Sequence, residues 1–207
     1  MADVSGAILA GGRATRFGGA NKALLRLGDS RIIDRLIAVL APVTSDIFIV
    51  ATDPLPYAGL GLRVVPDAVT AGALGGIYTA IVASPHPRTL VLACDMPFVT
   101  TELLQHLASI EDADIVIPRS RRGREPLCAL YGRACAEPIR ARIDRGERQA
   151  SVLPGSVRVM EVGPEALAAF DKDGLLFENV NTPHDYERAT GLIELKPEPT
   201  QDRITER

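Results

Sequence analysis

Short, uninterrupted apolar runs alternate with amphipathic stretches along this chain. Residues 47–50 predict a strand covered on both faces, as in a parallel sheet, residues 7–9, 89–94 and 115–118 predict further short buried strands, and residues 62–65, interrupted by Arg63, a short strand that ends near Asp67. Residues 125–131 read as a further strand starting at a proline, and residues 157–162 as an edge strand. Between the first runs, Ile32, Ile33, Leu36, Ile37 and Leu40 recur at helical spacing, with Asp29 or Ser30 available as N-cap and Pro42 as the stop. Residues 77–83 carry a second helical pattern after the glycine-rich turn 71–76. Thr100 and Thr101 can cap a third helix whose apolar side is Leu103, Leu104 and Leu107. Arg140, Arg142, Arg145 and Arg148 line a fourth and its exit, mostly as solvated charges. Thr182, Pro183 and Asp185 form a start signal for the last.

Strand, helix, strand in repetition predicts right-handed crossovers and an α/β fold. The expectation is one three-layer α/β/α domain over residues 1–194, Rossmann-like, with a mostly parallel mixed sheet and the run 89–94 at its centre. Residues 195–207, polar with two prolines, are expected as a disordered tail.

Composition narrows the function more than the fold. The 207 residues carry a net charge of −3 and no Trp, which speaks against nucleic acid as a partner. The basic run from Arg119 to Arg124 reads as a solvated loop between strands. Cys94, Cys128 and Cys135 are odd in number and lack metal-ligand spacing, so they read as small buried hydrophobes. His86, His106 and His184 are scattered and default to the surface. No secretory leader or membrane-spanning run is visible, and the cytosol is the expected location.

Candidate chemistry begins at the end of the first strand. Two glycine pairs, Gly11-Gly12 and Gly18-Gly19, surround Arg16 and precede Lys22. Such a loop frees backbone N–H groups for anionic oxygens, while Arg16 adds a planar fork and Lys22 a movable point charge. Arg13 breaks a dinucleotide G-x-G-x-x-G pattern, and Asn21-Lys22-Ala23 does not fit a Walker A loop. Asp95, at the end of the central run, suits a hard cation that takes one carboxylate and completes its shell with water and phosphate, as Mg²⁺ does.

The segments Leu9-Ala10-Gly11-Gly12, Arg16-Phe17-Gly18-Gly19 and Lys22-Ala23-Leu24-Leu25 resemble the opening signature of nucleotidyltransferases, and most closely that of the molybdenum cofactor guanylyltransferases. Cys94-Asp95-Met96-Pro97 is similar to that family's metal-binding segment, and Asn179-Val180-Asn181-Thr182-Pro183 to its pterin-binding segment. The resemblance implies GTP bound by Leu9, Ala10, Gly11, Gly12, Arg16, Lys22, Asp67 and Asp95, with Mg²⁺ on Asp95. It implies molybdopterin bound by Asn179, Asn181 and Arg148, and catalysis resting on Arg16, Lys22 and Asp95. Molybdoenzyme apoproteins or their chaperones are the implied protein partners. A cytidylyltransferase acting on the pterin or another phosphorylated metabolite stays open, as does a non-catalytic protein that delivers the cofactor.

Overall fold

The computed structural model describes residues 3–11 and 21–194, and within it the apolar runs become strands of one sheet. In chain order come β1 (Val4–Leu9), the hairpin β2 (Arg26–Leu27) and β3 (Ser30–Arg31), α1 (Ile32–Leu40), β4 (Asp46–Val50) and β5 (Arg63–Val65). Then follow α2 (Gly72–Ala83), β6 (Arg88–Ala93), α3 (Thr101–Ser109), β7 (Ile115–Ser120), β8 (Gly123–Arg124) and β9 (Cys128–Gly132). The described chain closes with α4 (Ala136–Asp144), β10 (Val159–Val162), the short α5 (Pro164–Leu167) and α6 (Pro183–Glu194).

The strand order is β10-β7-β9-β6-β1-β4-β5, with β8 paired to β7 off that path. Strand β1 pairs in parallel with β4 and β6, as do β4 with β5 and β10 with β7. Strand β9 runs against its neighbours β6 and β7, and β8 runs against β7. The predicted central strand, β6, does lie in the middle, and all six residues of β1 are buried.

Period-two alternation splits the core into the two layers flanking the sheet. Ile8, Ile49, Leu90, Leu92 and Val116 pack with Ile33, Leu36 and Leu40 of α1, Leu103 and Leu107 of α3, and Ala189 of α6. Ala7, Leu9, Phe48, Val50, Val91 and Ile117 pack with Leu74, Ile77 and Ile81 of α2 and Ile139 and Ile143 of α4. Gly6 permits the first layer to close, because a Cβ there would meet Leu40 Cδ2 at 3.1 Å.

Several local expectations change. The N-cap of α1 is Arg31 rather than Asp29 or Ser30, because Ser30 is drawn into the hairpin and Asp34 reaches back to the Arg31 backbone N–H at 3.1 Å. The glycine turn 71–76 is mostly the first turns of α2. A Cβ at Gly75 would lie 2.4 Å from the Val69 carbonyl, so its glycine serves a close approach and not a flexible loop. The strand after Pro126 begins at Cys128, since the Cys128 N–H closes a turn on the Glu125 carbonyl at 3.0 Å. Arg142 is buried at 4% exposure instead of solvated. The basic run folds partly into the β7–β8 hairpin, where Arg119 and Arg124 pair with Glu161 and Arg122 with Glu178. His106 rests against Phe170 with ring centroids 5.1 Å apart, and only His184 among the three is fully at the surface. The predicted tail 195–207 lies outside the described residues, as do Gly12 and Arg16.

Candidate active site

Parallel strands deliver their carboxyl ends to one edge, and in open α/β sheets the loops at that edge meet ligands. The chain leaves β1 at Leu9 and β6 at Ala93, side by side in register. The Cys94 N–H donates to the Leu9 carbonyl at 3.0 Å, so Asp95 emerges beside the end of β1. Lys22 stands on a 3-10 turn, Lys22–Leu24, that re-enters the fold through the wholly buried Ala23. Its Nζ donates to Asp95 Oδ2 at 3.1 Å and to Asn181 Oδ1 at 3.0 Å. These partners lie 73 and 159 residues away in sequence.

Asn181 arrives there because its segment is pinned from both sides. The Val180 N–H donates to the Asp95 carbonyl at 2.8 Å. The Asp185 carboxylate then accepts the N–H groups of Asn181 and Thr182, at 3.0 and 2.8 Å, while the Thr182 hydroxyl accepts from the Asp185 N–H at 3.1 Å. This is the reciprocal cap expected for α6. The Asn181 N–H and the Thr182 hydroxyl hold the Asp185 carboxyl below its ordinary pKa.

Lys22 and Asp95 retain 22% and 19% side-chain exposure, so their attraction adds on the order of 1 kcal/mol of stability or less. An ammonium has three donors, and two are used here. One remains for an incoming acceptor oxygen. The neighbouring Cys94 thiol is pushed up to about 12, mainly by burial, so it stays protonated and unreactive.

Asp95 Oδ2 and Asn181 Oδ1 converge on the Lys22 ammonium, which stands between them. Carboxylate and amide oxygens are also the hard donors that suit Mg²⁺, which takes few protein oxygens and fills its shell with water and phosphate. No group of three or more His, Cys, Asp or Glu side chains is gathered in metal-holding geometry among the described residues.

The other sequence candidates are not brought to this point. Leu9 is buried, and Ala10 donates its N–H to the Val50 carbonyl at 2.9 Å, leaving Gly11 exposed at the edge. Asp67 follows β5, two strands from β1 and so about 10 Å along the edge. Its carboxylate accepts from the Thr79 hydroxyl at 2.9 Å. Arg148 donates to the carbonyls of Ile143 and Glu147, at 3.2 and 2.8 Å, and closes the end of α4. Asn179 differs from both, for its Oδ1 is buried with no hydrogen-bond partner among the described residues.

Sequence reasoning missed two features. Tyr57 bonds to both Ala10 and Asn21, and a lone aromatic in the proline- and glycine-containing stretch 53–60 gave no signal of it. Asn21 was findable, since an Asn before a short helical turn is a capping signal. The second feature is a cavity of about 370 Å³ at the same edge, lined by Ser120, Arg121, Leu167, Asp171, Phe177 and Glu178 among others. Burial raises the Glu178 carboxyl, but its bonds to Arg122 and Arg188 outweigh this and hold it below its ordinary pKa.

The model of the MobA-like NTP transferase domain matches residues 6–157. The chain belongs to the MobA-like NTP transferase family. A molybdenum cofactor guanylyltransferase from Desulfosudis oleivorans is 36% identical over 196 residues, covering 93% of this chain and 97% of the relative. A probable molybdenum cofactor guanylyltransferase from Pelotomaculum thermopropionicum is also 36% identical, covering 94% and 95%. Among solved structures, molybdopterin-guanine dinucleotide biosynthesis protein A from Archaeoglobus fulgidus superposes with a TM-score of 0.78 at 28% identity, covering 93% of this chain and all of that one. This MobA-like NTP transferase is therefore an enzyme, a nucleotidyltransferase, and not a delivery protein alone.

Proposed function

We propose that this nucleotidyltransferase moves GMP from GTP onto the phosphate of molybdopterin, forming the guanine dinucleotide of the molybdenum cofactor and releasing pyrophosphate. The observation that carries the reading is the meeting of Lys22, Asp95 and Asn181 at the carboxyl edge of β1 and β6. The relatives named as guanylyltransferases of this cofactor supply the substrates.

An oxygen of the acceptor phosphate attacks the α-phosphorus of GTP. A phosphorus–oxygen bond forms there as the bond to the bridging oxygen breaks, and the electron pair leaves with pyrophosphate. The acceptor is already ionised near neutral pH, so no general base is needed. The chain's work is positioning and neutralising charge. Lys22 gives its remaining N–H to a triphosphate oxygen, and Arg16 adds its fork. The exposed Gly11, at the exit of β1, offers its backbone to the same phosphates, with Asp67 farther along towards the nucleoside. When bound, Mg²⁺ on Asp95 supplies Lewis acidity and neutralises phosphate charge.

On the acceptor side, Asn179 has a buried amide oxygen still seeking a donor, which the edge of a pterin offers. The 370 Å³ cavity is of ligand size, and its walls divide between apolar residues such as Leu167 and Phe177 and charged ones such as Arg121, Asp171 and Glu178. It opens at the end of β7, two strands and so about 10 Å from β6. Glu178 on its wall is three residues from Asn181, a reach of at most about 10 Å. Both measures suit an acceptor whose phosphate lies at Lys22 and whose heterocycle lies in the cavity.

The test offers GTP, CTP, ATP and UTP separately with molybdopterin and Mg²⁺, and follows pyrophosphate and dinucleotide. Transfer from GTP alone is the expected result, lost on chelation with EDTA. A clear preference for CTP would make the chain a cytidylyltransferase, and failure to use the pterin with any nucleotide would end the acceptor assignment.

A further inference from the structure

Tyr57 is 2% exposed and sits on the 3-10 segment Leu55–Leu60 beyond β4, outside the groups that act on phosphate above. Its hydroxyl accepts from Asn21 Nδ2 at 2.9 Å and donates to the Ala10 carbonyl at 3.2 Å. Asn21 Oδ1 in turn accepts the Ala23 N–H at 3.1 Å and so caps the turn that carries Lys22.

The direction of every bond in this chain is determined. Flipping the Asn21 amide would set its NH₂ against the Ala23 N–H, so the oxygen must face Ala23 and the nitrogen must face Tyr57. The phenol has then accepted one bond and can only donate to Ala10. Burial keeps its pKa above the ordinary value, so it remains a neutral donor through the working range.

One buried hydroxyl therefore ties together the exit of β1, at Ala10, and the start of the Lys22 turn, at Asn21. Ten residues with two glycine pairs separate those points in sequence, 11 to 20. The Ala10–Tyr57–Asn21 link constrains the Lys22 turn directly, by side-chain bonds that bypass those ten residues. Catalysis by a positioned charge is sensitive to displacements of an ångström, which can cost on the order of 10²-fold.

We propose that Tyr57 is a positioning residue for nucleotidyl transfer, whose hydroxyl sets, through Asn21 and the turn it caps, where the Lys22 ammonium stands relative to the end of β1. The inference rests on Lys22 acting at the phosphates, as proposed above. Tyr57 touches no reacting atom.

Tyr131 supplies the control, as a second buried phenol, 1% exposed, whose hydroxyl donates to the Pro126 carbonyl at 2.8 Å. Tyr57→Phe and Tyr131→Phe each remove one buried hydroxyl. Turnover of GTP with molybdopterin is measured for both, for Lys22→Ala, and for Lys22→Ala combined with Tyr57→Phe, beside thermal midpoints. The expected result is a roughly tenfold lower kcat in Tyr57→Phe alone, little change in Tyr131→Phe, and similar midpoints for the two. On the Lys22→Ala background, Tyr57→Phe should cost nothing further, because the group it positions is gone. Equal losses in the two phenylalanine variants, or an undiminished loss on the Lys22→Ala background, would overturn the proposal in favour of general loosening. If Lys22→Ala turns over like wild type, the role of Lys22 falls and this inference with it. If Lys22→Ala fails and Tyr57→Phe is normal, only the inference falls.

Discussion

Arg142 and Lys22 are both cations drawn partly inward, and they are spent differently. Arg142, 4% exposed, gives Nε to Glu147 at 2.6 Å, Nη2 to the Gln149 carbonyl at 2.9 Å and Nη1 to the Val152 carbonyl. Each of its three guanidinium nitrogens donates to the protein, and the segment after α4 is fastened by it. Lys22 is more exposed, bonds Asp95 and Asn181 among the described residues, and keeps a donor at the carboxyl edge of the sheet. A cation buried among protein acceptors holds the protein together, whereas a partly exposed one with a donor to spare at a strand edge is placed for a ligand.

The comparison breaks most visibly if the two cations are deleted. Lys22→Ala should lower kcat/KM on the order of 10²–10³-fold with a nearly unchanged unfolding midpoint. Asp95→Asn should likewise separate turnover from stability, with its defect deepest at limiting Mg²⁺; normal turnover there would dissolve the metal assignment. Arg142→Ala should do the reverse. It strands two backbone carbonyls and should destabilise the fold by about 2–4 kcal/mol in urea titrations, with activity following stability. A stable but inactive Arg142→Ala protein would erase the distinction between the two cations.

Finer effects come from the asparagines. Asn181 touches Lys22, so Asn181→Ala should weaken both GTP and molybdopterin in calorimetry, the pterin by roughly 1–3 kcal/mol. Asn179→Ala should weaken only the pterin, since its amide oxygen meets no described residue. Identical GTP affinity in both variants would detach Asn181 from the nucleotide side.

The smallest effect expected is on acid stability. The folded-state pKa of Asp185 is lowered, so its carboxylate supports the fold above the ordinary value near 3.8, and that support is lost as pH falls through the lowered value. Asp185→Asn should flatten the pH dependence of the unfolding midpoint in that acid window. A wild-type slope in the variant would show that the cap does not report on the Asn181 segment.

How much of this was legible depended on the range of each interaction. Residues 89–94 announced the middle strand because burial on both faces demands an unbroken apolar run, whatever lies on either side. Thr182, Pro183 and Asp185 announced the start of α6 because a cap is made by neighbours in sequence. Gly75 misled because a glycine needed for a close approach, here to the Val69 carbonyl, looks in sequence like one needed for a flexible turn. Arg142 misled because an arginine on a helix reads as solvated until the segment that follows, 147–152, folds back over it.

By itself, the chain's sequence determined the elements, their alternation and hence the α/β class, and the cationic glycine loop after the first strand. Those features follow from local periodicity and backbone freedom, which short windows contain. Tertiary structure alone decided that Lys22 meets an oxygen 159 residues away, and that Asp67 and Arg148 go elsewhere. It also decided that Tyr57 holds both flanks of the loop. Polar pairings of this kind are set by strand order, because the order of the strands in the sheet selects which loops share an edge.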